Sequence, residues 1–184
     1  MDTPTTIALI IAILAFCGLV FLMFERYRAR KLRARFGPEY DRTLAQAGTM
    51  HRARTILDHR QKRVAKYEVR ELTAQERDRF LAEWNNIQNH FVDDPQDAIK
   101  RADALVTQAV QARGYPGTDF ETTAADLSVN HPHAVADYRI ACEIMRQNVQ
   151  GQATTENLRR AMQHYRALFE AVANTGWVRE EVHA

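Results

Sequence analysis

Asp126, Ser128 and His131 put a carboxylate, a hydroxyl and an imidazole within six residues, and Ser128 is the chain's only serine. Those three groups are the parts of a nucleophilic hydrolase, in which an imidazole takes the hydroxyl proton and a carboxylate orients the ring. The same residue types also build turns and helix caps. Nothing around Ser128 marks a strained nucleophile elbow, because no G-x-S-x-G is present. The stretch is therefore read first as an irregular link between helices. Tyr115, Asp126, Asn130 and His131 are its candidate binding residues, since loops often carry recognition groups.

Other chemistry-bearing groups fall short of a pattern. The seven histidines show no ligand spacing: His131 and His133 flank Pro132, and His51 and His59 are eight apart without a carboxylate at metal-like distance. His90 and His164 are far apart in sequence and would need the fold to bring them to Asp93 or Asp94. Asp93, Asp94 and Asp97 cluster, but helix capping accounts for Asp94 and the helix N-terminus accounts for Asp97. Cys142 lies on an apolar helical stripe, as an inert half-core thiol does. Phosphate-binding glycine loops, a dinucleotide fingerprint and H-E-x-x-H are all missing from the sequence. The expectation is no catalytic residue, no metal and no cofactor.

The elements that position these groups read as helices throughout. Phe36-Gly37-Pro38 breaks the chain, and Pro38 suits a first helical turn. From Glu39 to about Tyr67 a single basic connecting helix is expected. Met50, Leu57 and Val64 recur every seven residues along it. With Arg54 and Gln61 in the other seam position, packing within the chain is favoured over a coiled coil with a second copy. Thr73-Ala74-Gln75-Glu76 is a capping box ahead of Phe80, Trp84, Ile87 and Phe91. Asp94 caps the next helix, with Pro95 in its first turn and Gly114 past its end. Asp119 to Leu127 forms a short helix. Pro132 restarts a helix striped with Val135, Tyr138, Cys142, Met145 and Val149. Thr154 or Thr155 caps the last one, which Gly176 ends. Five amphipathic faces suffice for one helical domain.

The N-terminus is different. Thr5 to Phe24 carries no charge, a length that spans a bilayer core as a helix. Arg26, Arg28, Arg30, Lys31, Arg33 and Arg35 follow within eleven residues. A cleaved signal would need a basic start and a small-residue cleavage site, and neither is there. The charge asymmetry puts the N-terminus outside and the rest in the cytoplasm, with the six cations against anionic lipid headgroups. Basic character continues to Arg70, with 14 Lys/Arg against 5 Asp/Glu over residues 25–70; residues 71–184 carry 11 against 17. That acidic remainder, and the few aromatics among the arginines, argue against nucleic acid. The organisation expected is an anchor over 1–35, a basic connecting helix over 36–70, a bundle over 71–176 and a tail over 177–184.

Five segments, Phe36–Arg42 (FGPEYDR), Phe91–Pro95 (FVDDP), Arg113–Pro116 (RGYP), Asp126–Pro132 (DLSVNHP) and His164–Phe169 (HYRALF), resemble an uncharacterised family of bacterial membrane or secreted proteins that join an N-terminal apolar segment to a helical domain. His90 and Asn130 depart from its pattern, where Arg and Asp are expected. The resemblance implies a bacterial origin and one architecture, and it supplies no site residues. The expectation from the whole chain is an all-α protein: a single transmembrane helix in the bacterial inner membrane, a long basic helix and a compact bundle. Its expected function is that of a scaffold or adaptor presenting a helical surface to a protein partner or a second copy. The alternatives are a hydrolase or small-ligand-binding bundle using the 115–132 loop, and an electrostatic binder of lipid or nucleic acid.

Overall fold

The computed structural model describes residues 3–117 and 119–173; within α1 it describes side chains from residue 12 onward, other than those of residues 14, 25 and 28. The described residues form eight helices: α1 (Thr3–Phe36), α2 (Pro38–Ala47), α3 (Met50–Val64), α4 (Ala74–His90), α5 (Pro95–Ala112), α6 (Phe120–Leu127), α7 (Pro132–Val149) and α8 (Thr155–Ala173). No strand occurs among them.

Helix ends follow the capping groups. Thr73 accepts from the Glu76 N–H while the Glu76 carboxylate accepts from the Thr73 N–H, which starts α4. Asp94 accepts from the backbone N–H groups of Gln96 and Asp97 at 3.1 and 3.0 Å, which starts α5. Thr154 does the same for Asn157 ahead of α8. Gly176 and the 177–184 tail lie outside the described residues.

The core is built from stripes spaced three and four apart. α5 buries Ala98, Ile99, Ala102, Leu105, Val106, Ala109 and Val110, and its alanines let α8 approach closely. α8 answers with Leu158, Ala161, Tyr165, Leu168, Phe169 and Val172. Trp84 of α4 stacks on Phe169 with ring centroids 4.9 Å apart. α7 packs along α8, α8 along α5, and α4 along α5, whereas α5 and α7 meet over only a short stretch. Phe36, Leu57 and Val64 belong to this same core.

Two expectations are corrected by this architecture. The basic stretch from Glu39 to Tyr67 is two helices packed on one another, not one long helix. Gly48, at φ 72°, ends α2 in the left-handed conformation that glycine adopts without strain, and the Thr49 hydroxyl accepts from the Arg52 N–H to start α3. Leu57 and Val64 of the seven-residue seam then pack inward, and Met50 is exposed.

The second correction concerns the transmembrane anchor. Among the described residues no helix is long and apolar enough to cross a membrane. α1 has 34 residues, and its last third is basic. The side chains of Thr5 to Ile11 in the expected span lie outside the described residues. The expected single-pass placement in an inner membrane, N-terminus outside and domain cytoplasmic, is withdrawn with the anchor.

Candidate functional site

Within the 115–132 link, Tyr115, Asp126 and Ser128 are buried, whereas Pro116, Asp119 and Asn130 are exposed. Asp126 is 1% exposed. Arg63 of α3 grips it through both Nε and Nη2, and the Tyr67 hydroxyl donates to its other oxygen at 2.8 Å. Hydrogen bonding to that carboxylate raises the Arg63 pKa, and burial raises that of Tyr67. Asn130 donates its amide to the Tyr115 hydroxyl at 2.7 Å, and Tyr115 meets the edge of Tyr67 with centroids 6.4 Å apart. Ser128 is fully buried and donates to the Ala125 carbonyl at 2.6 Å. Burial, and then the nearby Arg113, lowers the His131 pKa. Asp126 and Ser128 thus have side-chain partners of their own, the buried His131 Nε2 has none, and no side-chain hydrogen bond joins the three among the described residues. Tyr115, Asp126 and Asn130 are a latch between α3, α6 and the end of α5.

The other sequence candidates also separate. His90 pairs with Asp97 at 3.1 Å, and His164 with Asp137 at 2.8 Å. Along α1, Arg33 pairs with Asp41 at 3.0 Å. Arg26, Arg30 and Arg33 border a shallow groove against Tyr40 and Leu44, while Lys31 and Arg35 are exposed and the Arg28 side chain is outside the described residues.

A site that sequence reasoning missed lies between α5 and α7. Where these helices diverge, a cavity of about 800 Å³ opens. Its floor is Tyr165 of α8, its walls carry Asp103 and Thr107 of α5 and Tyr138, Cys142 and Met145 of α7, and Phe120 of α6 leans over one side. The Tyr165 hydroxyl donates to Asp103 Oδ1 at 2.9 Å, and the Cys142 sulfur lies 3.8 Å from the same hydroxyl. Phe120 meets Tyr138 edge to face at 5.2 Å, and Tyr138 meets Tyr165 at 6.4 Å.

Burial sets the protonation of this floor. It raises the Asp103 pKa, with the Tyr165 hydrogen bond opposing. It pushes the Cys142 thiol up to about 12, and it raises both Tyr138 and Tyr165 well beyond the ordinary phenol range. Cys142 is consequently a thiol at neutral pH and no nucleophile, as its place on the α7 stripe suggested. Val149, expected on that stripe, is 74% exposed at the cavity mouth.

The charged rim is internally paired. Arg139 donates to Glu121 at 2.8 Å and to Glu39 at 2.8 Å, Arg42 lies 3.8 Å from Glu121, and Arg146 pairs with Glu143 at 2.7 Å. The guanidinium of Arg139 also stands 5.6 Å over the Phe120 ring. Among the described residues, no three of His, Cys, Asp and Glu gather as metal ligands.

The class these features define is an all-helical bundle with a solvent-open, aromatic-floored cavity between α5 and α7, beside a second groove of about 770 Å³ among α2, α3 and α6. No protein-family model, curated protein or solved structure matches the chain.

Proposed function

We propose that this protein is a small-ligand-binding helical bundle, and that its binding site is the α5–α7 cavity, to which the 115–132 link contributes Gly117, Asp119, Phe120, Glu121 and Thr123. The observation that carries the reading is the cavity itself. Its volume of about 800 Å³ falls within the range of small-molecule sites, and its apolar and aromatic walls with a few convergent polar groups match their usual lining. Clefts between the helices of a bundle are a common place for such sites. The high proton affinity of the floor groups and the absence of an activated nucleophile favour binding over covalent chemistry.

The test is ligand-observed NMR with a fragment collection, run on the full chain and on Met145→Trp, whose larger side chain fills the cavity. Fragments that bind the wild type and are lost in the filled variant support the proposal. Equal binding to both proteins, with the variant folded by circular dichroism, refutes it.

One observation favours a second reading. Ile13, Phe16, Phe21, Leu22 and Met23 of α1 are each at least 53% exposed, an apolar surface larger than scattered single residues make. The scaffold expectation therefore stands as the rival, without its anchor: a helical module that covers this surface with a protein partner. A photo-crosslinker at Phe21 would join the chain to one defined protein in that case. Adducts without a preferred partner count against it.

A further inference from the structure

We propose that the cavity takes an organic cation, an ammonium group carried on an apolar body. The inference rests on reading the cavity as a ligand site, and the balance of charge within its lining carries it.

Each charged rim residue already has a counterpart. Arg42 and Arg139 share Glu121, Arg139 also holds Glu39, and Arg146 holds Glu143. The Asp119 carboxylate accepts from the Thr122 N–H at 2.9 Å as the cap of α6. Asp103 is the exception. It receives one hydrogen bond, from the Tyr165 hydroxyl at 2.9 Å, and no cation pairs with it among the described residues. Asp103 is half-buried in the cavity wall, and a partly desolvated carboxylate with a single donor gains from a positive partner.

The surroundings choose the partner's chemistry. Tyr138 and Tyr165 line the same cavity, and the negative faces of aromatic rings attract cations, as Phe120 already does with Arg139. An anionic ligand would meet Asp103 with like charge. A neutral one would leave the carboxylate as it is. An ammonium satisfies the carboxylate by a charge-assisted hydrogen bond, while Met145, Phe120 and Val149 cover its apolar body. The cavity is large enough for a body of drug-like size.

The experiment compares three probes of one shape on the full chain by isothermal titration calorimetry: 4-phenylbutylamine, 4-phenylbutanol and 4-phenylbutyrate. The expected order is amine, then alcohol, then carboxylate, with the amine at least about tenfold tighter than the alcohol. In Asp103→Asn the ratio of amine to alcohol affinity should fall to near one. The wild-type comparison stands even if that variant does not fold. An alcohol or carboxylate that binds as tightly as the amine, yet loses binding in Met145→Trp, overturns the cation and keeps the cavity. If none of the three binds and no fragment distinguishes the wild type from Met145→Trp, the cavity reading falls and takes the cation with it.

Discussion

Replacing Glu39 by methionine removes a carboxylate that sits between two nearly buried guanidinium groups. Glu39 is 2% exposed, and the side chains of Arg139 and Arg60 are 11% and 12% exposed. Arg139 binds it through Nε at 2.8 Å and Nη2 at 3.3 Å. Arg60 Nη1 lies 3.5 Å from Oε2, the oxygen that also accepts from Arg139 Nη2, without a well-aligned hydrogen bond, and burial already lowers the Arg60 pKa. Removing one partner of a buried pair typically costs about 3–5 kcal/mol, because the opposite charge stays behind uncompensated. Arg139 keeps Glu121, which is 63% exposed, so the lower end applies and about 3 kcal/mol should be lost. A urea titration followed by circular dichroism reads this as a fall in midpoint of about 1–2 M at unchanged slope. The discriminating control is Glu39→Met with Arg60→Met and Arg139→Met together. If stranded charge is the cause, the triple variant regains more than half of the loss, since apolar isosteres replace a buried ion cluster at little net cost. A loss under about 1 kcal/mol in Glu39→Met, or a triple variant worse than the single, refutes the argument.

Gly114 stands at φ 93°, and a Cβ there would lie 2.4 Å from the Glu68 carbonyl oxygen; Gly114→Ala should cost at least about 2 kcal/mol in the same titration, and a neutral effect would disprove the constraint. Cys142 should resist iodoacetamide at pH 8, its thiol being held up to about 12, while exposed Cys17 is alkylated; peptide mass mapping that finds Cys142 labelled as fast as Cys17 contradicts the burial argument. Hydrogen bonds from Arg70 and from the Thr73 backbone and hydroxyl hold the Glu76 carboxyl down to about 2. A depressed folded-state pKa stabilises above the unfolded value and is lost as pH falls through the folded one, so the α4 cap should weaken between about pH 4.5 and 2; Glu76→Gln should flatten that part of the stability profile, and an unchanged acid limb would show that other carboxylates set it.

Local signals carried the fold well wherever a cap or a stripe was complete. Thr73 with Glu76, Asp94 with Pro95, and the Phe36-Gly37-Pro38 break place helix ends where the structure has them. The Gly48-Thr49 break carries an equally physical signal, a left-handed stop followed by a hydroxyl cap, but the proline-free, Arg-, Gln- and Ala-rich stretch around it reads as continuous helix. The uncharged run Thr5–Phe24 reads as a membrane span, yet no helix among the described residues is long and apolar enough to be one. At the 115–132 link, polar residues read as a binding loop, and Asp126 and Ser128 face inward because Arg63 of α3 and the Ala125 carbonyl satisfy them there. The partner lies 63 positions from Asp126, beyond the reach of any local pattern.

The cavity could not be read for a related reason. Tyr138, Cys142 and Tyr165 sit at stripe positions, where helical periodicity assigns them all to the core. Whether a stripe position is filled or lines a gap depends on the spacing of two helices that never follow one another in the chain. Here α8 packs on α5 and on α7 at once, and the alanines on α5 draw it toward α8. Tyr138 and Tyr165 meet edge to face in the lining of the opening, and Phe120 of α6 covers one flank of it. Asp103 was the available clue: a lone acid one position from Ala102 on a helix whose neighbouring stripe is otherwise apolar. Asp103 is half-buried at the margin of that stripe, where the cavity gives its carboxylate access to solvent.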